Sequence, residues 1–144
     1  RELRLEDRVT LPGWVPQDEL HRTLSGARVG VVPSVWPEPL GAVGIEMLRH
    51  GLPVVGFDVG GISEWLKDGV NGYLVPVFDR ARLAERIDAL LADPELARRL
   101  GQAGREQAAT WCDEERNFAV VLDVLRDVAE RSTSQERPRA AQLA

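Results

Sequence analysis

The sequence predicts an α/β fold, a parallel β-sheet flanked by helices on both faces, and three observations lead there. Two short apolar runs, residues 29–33 (VGVVP) and 53–57 (PVVGF), show no alternation with polar residues. That is the pattern of strands covered on both faces. Segments of helical periodicity alternate with the runs along the chain, as strand–helix–strand units require. Turn pairs such as Asp68-Gly69 and Asn71-Gly72 mark the changes of character, because these residues accept the backbone geometry of tight reversals.

Taken in order, residues 9–15 (VTLPGWV) are rich in β-formers, with Pro12 and Gly13 placed to end the strand early. Residues 16–27 form an amphipathic turn and helix, with Leu20 and Leu24 four apart on one face. After the run at 29–33, residues 41–50 predict a helix with a marked end: His50 lies in the last turn, Gly51 just beyond it, and Pro53 follows. The run at 53–57 leads into Gly60-Gly61 and a short helix over 62–67, and residues 73–77 (YLVPV) are a third buried run. Asp79 is set to cap a helix over 80–92, and Asp93-Pro94 makes a second cap with proline at the first helical position. A further helix over 113–131 puts Phe118, Val121, Leu122 and Leu125 on one face. Residues 132–144 (STSQERPRAAQLA) are polar and unpatterned, which predicts a disordered tail after a single domain over 1–131.

A chain of 144 residues, 44% hydrophobic and 28% charged, has room for one domain with a true core and not for two ordinary ones. A net charge of −5 argues against a nucleic-acid partner, which needs a basic surface to neutralise phosphates. Cys112 is the single cysteine, so no intrachain disulfide and no cysteine cluster for zinc can form. With no long apolar run and no signal peptide, the expected setting is a reducing cytoplasm. The opening residues read as helix without a start methionine, and the expectation is that the chain begins in mid-domain.

In open parallel sheets, ligands bind where strands end and helices begin. The richest such junction is residues 33–46, PSVWPEPLGAVGIE. A strand ends at Pro33, a loop carries Trp36 and Glu38, and Gly41 lets the chain enter a helix with little bulk. The backbone N–H groups of Leu40, Gly41, Ala42 and Val43, with the helix dipole behind them, suit a phosphate. Glu38 precedes that cradle and Glu46 lies roughly 6–8 Å along the helix axis beyond it. Carboxylates on both sides make sense for a diphosphate joining two hydroxyl-bearing rings, a nucleotide sugar, since carboxylates accept hydrogen bonds from vicinal hydroxyls.

Each residue also has a plainer reading. Glu46 can pair with Arg49 or His50 on its own helix, and Glu38 can be a loop carboxylate favoured by the helix N-terminus. His50 reads as a C-terminal capping residue, and Trp36, Trp65 and Trp111 as packing residues. Gly60-Gly61 is either a phosphate loop or a plain strand-to-helix turn.

Together these residues resemble the donor-binding signature of the large retaining glycosyltransferase family 4, of the GT-B fold. Its mark is a glutamate, seven residues and a second glutamate after a strand ending in Pro-Ser, matched here by Pro33-Ser34, Glu38 and Glu46. Gly41, the Gly51-Leu52-Pro53-Val54-Val55 run, Gly60-Gly61 with Glu64, Asp68-Gly69 and Asn71-Gly72 extend the match over about residues 5–130. Met47-Leu48 replaces the family's usual Ala-Met. The resemblance implies a Rossmann-like domain, the C-terminal half of a GT-B fold cut at its N-terminus. It implies Glu38 as the catalytic carboxylate near the reacting sugar carbon. Pro39, Leu40, Gly41, Ala42 and Val43 would line the diphosphate, and Glu46 would hold the ribose.

The resemblance implies no metal or other cofactor. The partners it implies are a nucleotide sugar and an acceptor-binding N-terminal domain absent from this chain, and it leaves peripheral membrane association of the full enzyme open. By itself the chain is expected to be inactive as a transferase and to bind donor weakly. The resemblance also makes residues 9–14 strand three of the domain, and residues 28–33, 53–57 and 73–77 strands four to six. With the intervening strands lacking, strand 9–14 is expected to pack in parallel beside strand 28–33, failing which that edge pairs with another chain. A nucleotide-sugar epimerase of the same architecture and a non-catalytic binding module are the rival readings, separated from a transferase by acceptor-dependent release of nucleotide. A dinucleotide-dependent dehydrogenase lacks its GxGxxG here.

Overall fold

The structure is a computed structural model that describes residues 5–135, with side chains as far as residue 132. The elements follow in the order α1 (Gln17–Gly26), β1 (Gly30–Val32), α2 (Ala42–Arg49), β2 (Val54–Phe57), α3 (Ile62–Trp65), β3 (Gly72–Val75), α4 (Arg80–Ala92), α5 (Pro94–Trp111) and α6 (Glu114–Gln135). The strands form a parallel sheet in the order β1-β2-β3, with Val31 opposite Val55 and Val55 opposite Tyr73.

Every residue of β2 is buried, which explains the absence of polar alternation in its sequence. Its side chains alternate between two cores. Val54 joins Val32, Ile45, Leu48, Ile62, Trp65 and Leu66 on one side, whereas Val55 and Phe57 join Val75, Leu90, Ala97 and Leu100 on the other. The expected sheet with helices on both faces is therefore present. The helix boundaries follow their caps. Asp79 accepts from the Arg82 N–H at 3.0 Å and Asp93 from the Leu96 N–H at 3.0 Å, satisfying donors that the first helical turn leaves open. α2 stops at His50, and Gly51 takes φ +75° immediately after it.

One expected element is not formed. Residues 9–15 make no strand and no ladder with β1, whose only strand neighbour among the described residues is β2. Pro12 has no N–H to give a ladder, Gly13 takes φ +71°, and Leu11 and Trp14 are 89% and 87% exposed. With these apolar side chains buried against nothing, β-propensity alone does not hold a strand.

The chain packs as two compact units, Arg1–Ala108 and Ala109–Ala144. The first contains the sheet and both cores. In the second, Asp113 caps α6 by accepting from the Arg116 N–H at 2.9 Å. Phe118, Val121 and Leu125, expected on one face, are all exposed, while Leu122 is half-buried. α6 runs past residue 131 to Gln135, and the rest of the expected disordered tail, residues 136–144, lies outside the described residues. No helix among the described residues is long and apolar enough to cross a membrane.

Candidate functional site

β1 ends at Val32 and α2 starts at Ala42, so the segment singled out in the sequence is a loop between a strand end and a helix N-terminus. Gly41 is the N-cap residue, at φ +72° and ψ +50°, and no side chain caps the helix. A residue with a Cβ is strained in that left-handed conformation.

The loop is anchored through its carbonyl groups. The Gly61 N–H donates to the Glu38 carbonyl at 2.7 Å, the Trp65 Nε1–H donates to the Leu40 carbonyl, and the Gly44 N–H donates to the Gly41 carbonyl at 2.9 Å. Trp65 itself is fully buried beneath α2, its ring packed where a Cβ on Gly44 would lie 2.0 Å from it. By contrast, the N–H groups of Leu40, Gly41, Ala42 and Val43 meet no protein acceptor among the described residues. Leu40, Ala42 and Val43 are exposed. Held carbonyls and open amides at a helix N-terminus concentrate positive potential at one place.

Glu38 is half-buried, and two donors meet one of its oxygens: Ser34 Oγ at 2.9 Å and Trp36 Nε1 at 3.0 Å, both to Oε1. Oε2 takes no protein donor among the described residues, so an ionised carboxylate keeps acceptor capacity there. Trp36, read from sequence as packing, is 60% exposed and serves as a hydrogen-bond donor instead.

Gly60 and Gly61 explain themselves by proximity. A Cβ on Gly60 would lie 2.2 Å from the Glu38 carbonyl oxygen, and one on Gly61 would lie 2.2 Å from that of Pro39. With its N–H spent on Glu38, Gly61 supports the loop from below. The pair forms a strand-to-helix turn, as one of its two readings expects, with the Gly60 N–H meeting no acceptor among the described residues.

Glu46 lies on α2 with 26% of its side chain exposed, 3.5 Å from Arg49 Nη1 and 3.7 Å from His50 Nε2. Both of the helix partners expected from spacing are reached. His50 also meets His21 of α1, Nε2 to Nδ1 at 2.8 Å. That pair was not legible in sequence, because its members come from different helices. Asn71, read as a turn residue, is fully buried: Nδ2 donates to the Trp65 carbonyl at 2.7 Å and to Gln107 Oε1 at 2.6 Å, while Oδ1 accepts from the Lys67 N–H at 2.8 Å.

Fold and neighbours define the class, an α/β domain of the Rossmann-like type found in GT-B proteins. Residues 1–107 match the family described as Glycosyl transferases group 1, and the chain belongs to that family. It is 40% identical over 131 residues to an alpha-maltose-1-phosphate synthase of Mycobacterium tuberculosis, covering 86% of this chain and 31% of the relative. Among solved structures it resembles the sucrose-phosphate synthase of Thermosynechococcus elongatus, with TM-score 0.81, 37% identity, and coverage of 88% of this chain and 32% of the other. It also resembles Anabaena HepE in complex with UDP and glucose, with TM-score 0.71, 26% identity, and coverage of 90% and 33%. The chain thus spans about a third of the length of the relatives it matches.

Proposed function

We propose that this chain is the donor-binding domain of a retaining, family 4 glycosyltransferase, acting with a second domain that binds the acceptor. The observation that carries the proposal is the divided backbone of residues 38–43: the carbonyls of Glu38, Leu40 and Gly41 are held by protein donors while four consecutive amides stay open beside the Glu38 carboxylate. In this reading the amides of residues 40–43, with Pro39 alongside, hold the diphosphate without a metal. Glu46 accepts hydrogen bonds from the ribose hydroxyls. The free oxygen of Glu38 faces the transferred sugar, where a carboxylate stabilises positive charge developing at the reacting carbon. Retention then places the acceptor on the face of the departing phosphate, which helps to take the acceptor's proton. UDP and UDP-glucose bound by a structural neighbour support the donor class.

Calorimetric titration of the chain with UDP, ADP, GDP and CDP tests the cradle. Saturable binding of at least one is expected, strengthened when the acceptor-binding domain is supplied and a sugar donor replaces the diphosphate. Release of nucleotide only when acceptor is added would separate transfer from epimerisation. Failure of all four diphosphates to bind would remove the proposal.

A further inference from the structure

This chain contains two histidines, and the fold brings them together with a carboxylate. His21 Nδ1 and His50 Nε2 are 2.8 Å apart, His50 Nε2 and Glu46 Oε1 are 3.7 Å apart, and one ligand atom from each of the three residues lies within 4.8 Å of the others. Glu46 on α2 and His50 at its C-cap are one helical turn apart, the spacing that lets two side chains grip a single ion. His21 reaches them from α1, where it is exposed and free to adjust.

From this geometry we propose a binding site for a first-row divalent transition metal, with zinc, nickel or cobalt as the class of ion, at His21, Glu46 and His50. Two imidazole nitrogens and one carboxylate oxygen suit these borderline ions, whereas magnesium and calcium require oxygen ligands. Zinc–ligand bonds of about 2.0–2.2 Å place tetrahedral donors roughly 3.3–3.5 Å from one another. The 2.8 and 3.7 Å separations from His50 bracket that range and the third lies within 4.8 Å, so closure around an ion requires the exposed His21 side chain to rotate toward Glu46. In the apo form the two rings share a hydrogen bond, one nitrogen donating and one accepting. With a metal bound, each ring carries its proton on the nitrogen facing away and offers a lone pair to the ion. Three protein ligands leave the fourth position open to water.

The metal site requires nothing of the nucleotide reading, but one consequence rests on it. A carboxylate engaged by the metal is withdrawn from ribose hydroxyls, so metal and nucleotide exclude each other at Glu46. The ion is then an inhibitor of donor binding and no part of the transfer chemistry.

Titration of the tag-free chain with cobalt(II), followed by visible ligand-field absorption, tests the site. All proteins carry Cys112→Ser, because that exposed thiol is the competing soft ligand. Saturation at one ion per chain is expected, with affinity reduced about tenfold or more, some 1.4 kcal/mol, by His21→Gln and by Glu46→Gln. His21→Gln changes an exposed side chain outside the proposed nucleotide site, so loss of folding does not confuse the result. Absorption that never saturates, or equal affinity with His21 present and in His21→Gln, overturns the proposal. Addition of UDP provides the second arm. Displacement of cobalt by UDP beyond that caused by an equal concentration of inorganic pyrophosphate, which chelates the ion but has no ribose, supports both the site and the ribose role of Glu46. Saturable, His21-dependent cobalt binding that UDP disturbs no more than pyrophosphate does upholds the metal site and rejects that ribose role.

Discussion

Two strand-to-helix junctions lie side by side at one end of the sheet, and they spend their backbone groups in opposite ways. After β2, residues 58–61 turn quickly into α3, and three of their four amides, all but that of Gly60, find acceptors among the described residues. Asp58 donates to the Val75 carbonyl at 2.7 Å, Val59 to Phe57 at 3.0 Å, and Gly61 to Glu38 at 2.7 Å. After β1, the longer loop of residues 33–41 has the carbonyls of Glu38, Leu40 and Gly41 held while the amides of residues 40–43 remain open. Counting glycines would favour the second junction, Gly60-Gly61, as the anion site. Counting unsatisfied donors favours the first. The accounting of backbone partners is the physical criterion, and it makes the glycine-rich turn a support on which the carboxylate-bearing loop rests.

The comparison breaks most visibly at Glu38. In the proposed two-domain enzyme, Glu38→Ala should lower turnover by about 100- to 1,000-fold, roughly 2.7–4 kcal/mol on the barrier, because its interaction strengthens as charge develops. Donor affinity should change less than about threefold, measured by steady-state kinetics alongside calorimetry. Equal losses in turnover and affinity would show that the loop only binds.

The supporting role of the second junction predicts the next effect. Gly61→Ala drives a methyl into the Pro39 carbonyl and should cost about 3 kcal/mol of stability by urea unfolding, in the range of overpacked interiors. Gly26→Ala, where a Cβ meets nothing within 4 Å, is the control and should move stability by less than about 1 kcal/mol. A Gly61→Ala protein of native stability would mean that the two junctions are independent.

Glu46→Ala should weaken binding of the nucleoside diphosphate by about 1.5–3 kcal/mol, the value of charged hydrogen bonds lost, with a smaller effect on turnover of bound donor. The smallest effect is expected at Trp36. Trp36→Phe keeps an aromatic ring and removes one of two donors to Glu38 Oε1, and should reduce turnover about fivefold, near 1 kcal/mol. A loss as large as that of Glu38→Ala would assign Trp36 a direct role at the sugar.

How much of this was legible beforehand varies along the chain for physical reasons. The buried runs that became β1, β2 and β3, the caps at Asp79 and Asp93, and the stop at Gly51 depend on local chemistry, and the structure reproduces them within a few residues. Residues 9–15 were misread as a strand because their composition is β-rich while the decision depends on a partner and a face to bury. The order of Pro-Ser, Glu38 and Glu46 was visible as spacing. The reason that Glu38 is held, through Ser34 and Trp36, was not.

What the sequence determines by itself is therefore periodic and local: the alternation of strands and helices, where helices begin and end, and which junction carries two carboxylates around a bare helix N-terminus. These follow from propensity, capping and side-chain period, which act over a few residues. Tertiary structure alone decided that Gly61 spends its amide on Glu38, that Trp65 holds the Leu40 carbonyl, that Asn71 is a buried hub, and that His21 meets His50 across 29 positions of chain. Each of these pairs groups distant in sequence, and their meeting depends on how the helices pack against the sheet, which no local pattern records.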